Sequence, residues 1–316
     1  MIANGFEPPT TPAPTVPNVQ PAESHRGILL ATDASPAAAS ATSVAALLAQ
    51  RWNASTHACT VVPPPSTAFD GVGITVAYSA VLERELQTEV DRQLDGIPWE
   101  PSSFTKEIVV GAPASEIVRL SERHGADLIV LGLRPHALLD RVFRDETALS
   151  VMRHASIPVL AVTPSLTRLP RRIVAAIDFS RASIAAAHAA LTLLDPDGSL
   201  TLVYVEPTSE PSAPEAQGFT MAYTQGVTAA FDRLRHELAA SSPTRIDAQI
   251  LHGSVTSALL AFARRSGADL LAVGSQRHTV AQRALVGSVT TALARAAECS
   301  MLVIPPGGHS PARSAA

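Results

Sequence analysis

Apolar residues in this chain gather into short, β-branched runs that alternate with longer, partly polar helical patterns, and the alternation occurs twice. In the second half the runs near Arg172–Asp178, Ser199–Val205, Arg245–Leu251, Asp269–Gly274 and Met301–Ile304 predict five strands. The stretches between them predict helices over Arg181–Leu194, Phe219–Ala240, Val255–Ser266 and Ser288–Glu298, with Ser180 and Ser254 as N-caps whose hydroxyls accept an orphan amide. The first half matches, with strands near Gly27–Asp33, Thr56–Val62, Phe104–Val110, Asp127–Gly132 and Val159–Val162. Strands this continuously apolar belong to sheets covered on both faces. The pattern therefore predicts an α/β fold in which each half is a doubly wound, Rossmann-like, five-stranded parallel sheet.

The halves are copies. Gly125-Ala126-Asp127-Leu128-Ile129-Val130-Leu131-Gly132 returns as Gly267-Ala268-Asp269-Leu270-Leu271-Ala272-Val273-Gly274 at an offset of 142, which also carries Ile157–Leu160 onto Cys299–Leu302. Two tandem domains are expected, 26–164 and 171–306, joined by a linker over Thr163–Arg171 that holds Pro164 and Pro170. The segment 1–25, with six prolines, and the segment 307–316 read as disordered tails.

Composition narrows the function. With 46% apolar and 16% charged residues the 316-residue chain is globular, and no apolar stretch approaches the roughly 18 to 20 residues that span a bilayer, so no membrane partner is expected. A net charge of −4 with scattered Lys and Arg argues against nucleic acid. The first 24 residues lack the basic start and apolar core of a secretory signal, and Cys59 and Cys299 form no disulfide framework, so a reducing cytoplasm is expected.

Ligands of such open sheets bind beyond the carboxyl ends of the strands, where strand order reverses. That directs attention to Asp178–Arg181, the stretch after Val205, His252–Ser254 and the long loop Gly274–Ser288. The last has the chemistry of an anion cradle: Gly274 for a sharp turn, Gly287-Ser288 opening a helix whose amides and dipole favour phosphate, hydroxyls on Ser288 and Thr290, and charge on Arg277 or Arg283. A plain strand-to-helix loop with a glycine turn and a serine cap accounts for the same residues. Ten histidines, among them His57 and His252, show no metal-ligand spacing, and isolated histidines are mostly structural. There is no Gly-x-Ser-x-Gly elbow and no Walker loop. The stretch Pro207–Gln217 reads as a mobile loop able to cover the pocket.

Taken together, the two halves resemble tandem members of the universal stress protein family. Nucleotide-binding members of that family carry Gly-x2-Gly-x9-Gly-Ser/Thr after the fourth strand and an aspartate at the end of the first; here Gly274, Arg277, Gly287-Ser288 and Asp178 stand at those positions. The resemblance implies a cytoplasmic stress-response protein that binds ATP or another adenine nucleotide, with Mg2+ accompanying it, and that is not an enzyme beyond slow ATP hydrolysis. It implies Ala176 and Asp178 at adenine and ribose, Val205 lining the base pocket, Val273 and Gly274 flanking it, and Gly287, Ser288, Val289 and Thr290 at the phosphates. Asp178 reads equally as a turn former before the following helix. Arg277 departs from the family's second glycine and either crowds the phosphates or binds them. In the first half the loop reads Gly132-Leu133-Arg134-Pro135, and Asp145-Glu146-Thr147 replaces Gly-Ser; two carboxylates there repel phosphate, so this half is expected not to bind a triphosphate. The resemblance further implies an intramolecular pseudo-dimer through the fifth strands and homodimers of the chain. A rival reading is a nucleotide-independent interaction or scaffold protein of the same fold.

Overall fold

The computed structural model describes residues 27–64, 72–97, 99–100, 103–133, 145–206, 216–275 and 288–307. In chain order the first half runs β1 (Gly27–Ala31), α1 (Pro36–Trp52), β2 (Ser55–Val62), α2 (Val72–Asp95), β3 (Phe104–Val110), α3 (Pro113–Arg123), β4 (Leu128–Gly132), α4 (Asp145–His154) and β5 (Val159–Val162). The second half repeats it as β6 (Arg172–Ala176), α5 (Arg181–Leu193), β7 (Ser199–Glu206), α6 (Ala216–Ser241), β8 (Arg245–His252), α7 (Val255–Ser266), β9 (Leu270–Gly274), α8 (Ser288–Ala296) and β10 (Ser300–Ile304).

Strand order is β3-β2-β1-β4-β5-β10-β9-β6-β7-β8 in one ten-stranded sheet. Within each half every pairing is parallel, and the order reverses beside the first strand, between β1 and β4 and between β6 and β9. The halves meet edge to edge, because β5 pairs antiparallel with β10 in the register Met301↔Ala161, Leu302↔Leu160 and Val303↔Val159. Leu302 is the 142-residue image of Leu160, so exchanging the halves maps this register onto itself. Joining the two edges also satisfies backbone groups that each half alone would expose.

Two apolar layers cover the sheet, and both run across the seam. One packs α1, α2, α5 and α6 through residues such as Leu48, Leu94, Ile184 and Leu234 against Leu30, Leu128, Leu160, Ile173, Leu270 and Leu302. The other packs α3, α4, α7 and α8 through Leu120, Met152, Leu259 and Leu293 against the alternate strand residues Leu29, Ile129, Leu271, Val273 and Met301. Helix α5 lies close because it is built of alanines: Ala182, Ala185, Ala186, Ala187, Ala189 and Ala190 are all buried. Its His188 points its Nε2 at Glu237 of α6, 3.0 Å away. A buried hydroxyl pair ties the linker to the seam, where the Thr163 amide donates to Ser300 Oγ at 3.0 Å and the two hydroxyls lie 3.1 Å apart. Arg51 at the end of α1 donates to the Leu194 carbonyl at 2.5 Å, a second tie between halves.

Several expected boundaries shift. β1 and β6 end at Ala31 and Ala176, short of the aspartates, because each chain leaves the ladder into a tight turn. Ser180 caps α5, its hydroxyl accepting from the Ser183 amide at 3.2 Å, whereas Ser254 occupies the cap of α7 without a side-chain cap bond. Helix α6 begins at Ala216, inside the stretch read as a loop, and 207–215 lie outside the described residues. Among the described residues no helix is long and apolar enough to cross a membrane.

Candidate functional site

At the carboxyl edge of the second half the expected residues come together on adjacent strand ends. Ala176 is the register partner of Val273, so the turn after β6 and the end of β9 flank the point where strand order reverses. Glu206 and His252, one residue past Val205 and one before Gly253, are partners on the next strands, with His252 Nδ1 3.3 Å from Glu206 Oε2. Val205 and Val273 are buried, and Ala176 is partly so.

The turn after β6 is built by Asp178. Its Oδ1 accepts from the Ser180 amide at 3.0 Å, and Phe179 takes a left-handed backbone, φ 58°, that buries its ring against Tyr204 and Phe231. The first half forms the same turn, with Asp33 Oδ1 accepting from Ser35 at 3.0 Å and Ala34 at φ 59°. The turn-forming role of Asp178 is thus seen directly, and the carboxylate sits exposed at the mouth of the site. A carboxylate has about four lone-pair positions, so holding a turn is compatible with accepting from a ligand hydroxyl as well.

Gly274 serves the site differently from the sequence expectation. It ends β9 without a turn; its missing Cβ is what lets α5 approach, since a Cβ there would lie 2.3 Å from the Ala182 carbonyl carbon and 2.4 Å from the Ser183 amide nitrogen. The first turn of α5 is therefore pressed onto the end of β9 from one face. On the other face α8 runs from Ser288 back toward β10, which sets its N-terminus at the same carboxyl edge, with Thr290 buried and Val289 exposed. Two helix N-termini, each positive in its dipole, flank one strand end from opposite faces.

The residue that sequence reasoning missed is Ser275. Its amide continues the ladder by donating to the Ile304 carbonyl at 2.7 Å, and strand alternation puts its side chain on the face of Leu271 and Val273, where α7 and α8 pack. It is 2% exposed, and its hydroxyl has no hydrogen-bond partner. An orphaned buried hydroxyl costs about 1–3 kcal/mol, so its retention on the face that carries the N-terminus of α8 fits a polar ligand that completes it. The signal in the sequence was a serine directly after a strand-ending glycine, at the place where the first half has Leu133. Arg277 and Gly287 lie outside the described residues, as do 134–144 of the first-half loop.

The other end of the sheet holds a cluster that sequence spacing did not reveal. On β2 and β3, His57 Nε2 lies 2.8 Å from Glu107 Oε1, and His124, capping α3, brings its Nε2 within 3.1 Å of the same oxygen. Burial lowers the His57 pKa below its ordinary value. Burial pulls the Glu107 carboxyl up, but hydrogen bonds from His124 and His57 and the Arg123 charge leave it below the usual carboxylate range.

A family model described as the universal stress protein family matches residues 25–163 and again 170–305. Universal stress protein MJ0531 of Methanocaldococcus jannaschii is 30% identical over 140 residues, which cover 44% of this chain and 82% of that protein. Universal stress protein G of Shigella flexneri is 30% identical over 81 residues, 26% of this chain and 56% of the relative. Among solved structures, a universal stress protein from Archaeoglobus fulgidus DSM 4304 superposes with a TM-score of 0.61 at 18% identity, covering 88% of this chain and 97% of its own. A putative universal stress protein from Pseudomonas aeruginosa UCBPP-PA14 gives 0.58 at 17% identity, with 89% and 94% covered. At these identities the structural likeness is one of fold.

Proposed function

The chain belongs to the universal stress protein family, and from that premise we propose that its second half binds an adenine nucleotide at the carboxyl edge of the sheet, making it a regulatory or protective binding protein of the stress response. The observation that carries the reading is Ser275, a buried hydroxyl with no partner on the face of the sheet that α8 covers, at the strand end where the N-terminus of α5 approaches from the opposite face. Phosphate oxygens are acceptors only, so an unmade O–H donor and the positive end of a helix dipole are complementary to them.

In this reading Ala176, Val205 and Val273 line the adenine and ribose end, and Asp178 accepts from the ribose hydroxyls while keeping its turn bond to Ser180. Gly274 keeps α5 close enough to present its amides. Ser275, Gly287, Ser288, Val289 and Thr290 hold the phosphates, and Arg277 supplies a bidentate cation to them. Mg2+ accompanies the phosphates, as it commonly does while keeping most of its waters. Asp178 belongs to the ribose end, away from the phosphates, so in this reading the role is binding, with turnover slow at most. The first half, with Leu133 in place of Ser275 and two carboxylates in place of Gly287-Ser288, takes no triphosphate. The antiparallel β5–β10 pairing supports reading the two halves as an intramolecular pseudo-dimer. Two free cysteines fit a reducing, cytoplasmic setting.

Titration calorimetry of the full chain with ATP tests this, together with Ser275→Ala and Gly287→Asp. One ATP per chain is expected, bound about tenfold more weakly by Ser275→Ala, the equivalent of one lost hydrogen bond to a charged group, and not measurably by Gly287→Asp. In the ligand-free state Ser275→Ala is expected to gain about 1 kcal/mol in urea unfolding, because it removes an unsatisfied hydroxyl. Absence of binding at millimolar ATP overturns the proposal and leaves the nucleotide-independent interaction protein.

A further inference from the structure

We propose a second, unrelated site in the first half: a divalent metal site for zinc or a zinc-like ion, formed by His57, Glu107 and His124. These residues are separated by 50 and 17 positions in sequence, and only the parallel pairing of β2 with β3 and the packing of α3 over them bring the three together. The register sets His57 opposite Thr105 and diagonal to Glu107, all facing α3. The His57 and His124 rings stack with centroids 3.5 Å apart and planes at 17°, which directs both Nε2 atoms to one carboxylate oxygen. The three ligand atoms lie within 4.8 Å of one another. Zinc bound at about 2.0–2.2 Å to nitrogen and oxygen separates neighbouring tetrahedral ligand atoms by roughly 3.3 Å. The observed 2.8 and 3.1 Å contacts to Glu107 Oε1 are a few tenths of an ångström shorter than that, and to admit the ion the two stacked rings must splay so that both Nε2 lone pairs converge on it.

The surrounding groups also suit a metal. His57 Nδ1 lies 2.7 Å from Thr105 Oγ1, so when an ion replaces the present Nε2 bond to Glu107 the ring carries its proton on Nδ1, donates to that hydroxyl and presents Nε2 as a lone pair. A ring nitrogen held by an outer partner is the usual support of a metal-bound histidine. Two histidines and one glutamate leave a fourth position for water, and Glu107 is the only anion among the three ligands. Arg123 is the competitor: its Nη2 lies 3.1 and 3.2 Å from the two Glu107 oxygens, and metal entry must displace it. The site lies near the starts of β2 and β3 and the end of α3, at the amino edge of the sheet, opposite the strand-end loops of the nucleotide reading. Strand register and the 142-residue offset place Thr201, Gln249 and Ser266 at the equivalent positions of the second half, so the site has no copy there.

The test uses the untagged full chain without nucleotide. Zn2+ affinity is measured by competition with a chromophoric chelator, and Co2+ binding by the intense visible absorption of a four-coordinate cobalt site. One ion per chain is expected, with the cobalt bands lost in His124→Gln and in Glu107→Gln and retained in His236→Gln, a surface residue outside the cluster. Thr105→Val, which removes only the outer partner, is expected to weaken Zn2+ by about 10- to 100-fold. Arg123→Gln is expected to tighten it, because it removes the competing cation, an effect that a purely structural ion cluster does not produce. Circular dichroism confirms that each variant folds, and the exposed Arg123 and Thr105 positions keep the test decisive if His124→Gln does not. No uptake by the wild type, or equal affinity in wild type, Thr105→Val and Arg123→Gln, overturns the proposal.

Discussion

The residue that follows β4 and the residue that follows β9 occupy the same place in the two halves and have opposite characters. Leu133 and Ser275 each extend the ladder with an amide donating at 2.7 Å to a carbonyl of the neighbouring strand, Val162 and Ile304 respectively. Leu133 then joins the apolar layer beneath α3 and α4, while Ser275 leaves a buried hydroxyl unmade. At the other edge the contrast runs the opposite way, with His57, Glu107 and His124 in the first half against Thr201, Gln249 and Ser266 in the second. Duplication kept what the sheet needs, the apolar runs and the Asp-x-Ser turns after β1 and β6. It let the ends of the strands diverge, where changing a side chain costs the core least.

The comparison can be broken first at the seam. Leu160 and Leu302 are both buried and face each other across it, so Leu160→Ala and Leu302→Ala are each expected to cost about 2–5 kcal/mol, by similar amounts, in urea unfolding. A large cost from one and none from the other would mean that the halves are not equivalent there. A smaller effect separates the two cysteines. Burial pushes the Cys59 thiol up to about 12 and that of Cys299 up to about 11, so both are protonated at pH 8 and react slowly with an aromatic disulfide reagent in the folded chain. Cys299, less buried, is expected to react first, and both at once in denaturant; fast native reaction of Cys59 would show that the first half opens locally. The smallest effect concerns pH. The Lys106 ammonium, 2.5 Å from Asp91, hydrogen-bonds to its carboxylate and lowers its pKa. A lowered carboxylate contributes stability above its unfolded pKa and loses it as pH falls through the folded value, so this contribution is present at pH 7 and fades below about pH 4. Because the pair is exposed it amounts to under about 0.5 kcal/mol, and it belongs to the first half alone, since Ala248 replaces Lys106 in the second. Unfolding midpoints of wild type and Lys106→Ala at pH 7 and pH 3 measure it; a gap that widens in acid contradicts the sign.

Much of this was legible in order along the chain. The duplication, all ten strands and the candidate loops follow from apolar runs and the 142-residue offset, because a strand buried on both faces leaves a local compositional mark, whereas the place where strand order reverses came from the sheet topology. Asp178 was legible as a turn former for the same reason: its hydrogen bond reaches only two residues along. Ser275 was not, since an unmade bond is defined by the absence of neighbours, and only packed helices and strands determine which atoms those are. Gly274 was seen but assigned to a turn, whereas its small size admits the backbone of α5, a contact across 91 residues. The histidine–glutamate cluster lay beyond sequence altogether, because its members meet through strand register and a helix crossing. The amino-acid sequence by itself determined the elements, their repetition and the edge of the sheet at which a ligand would sit. The tertiary structure alone decided which polar groups remain unsatisfied and which distant side chains converge, because those properties depend on long-range packing.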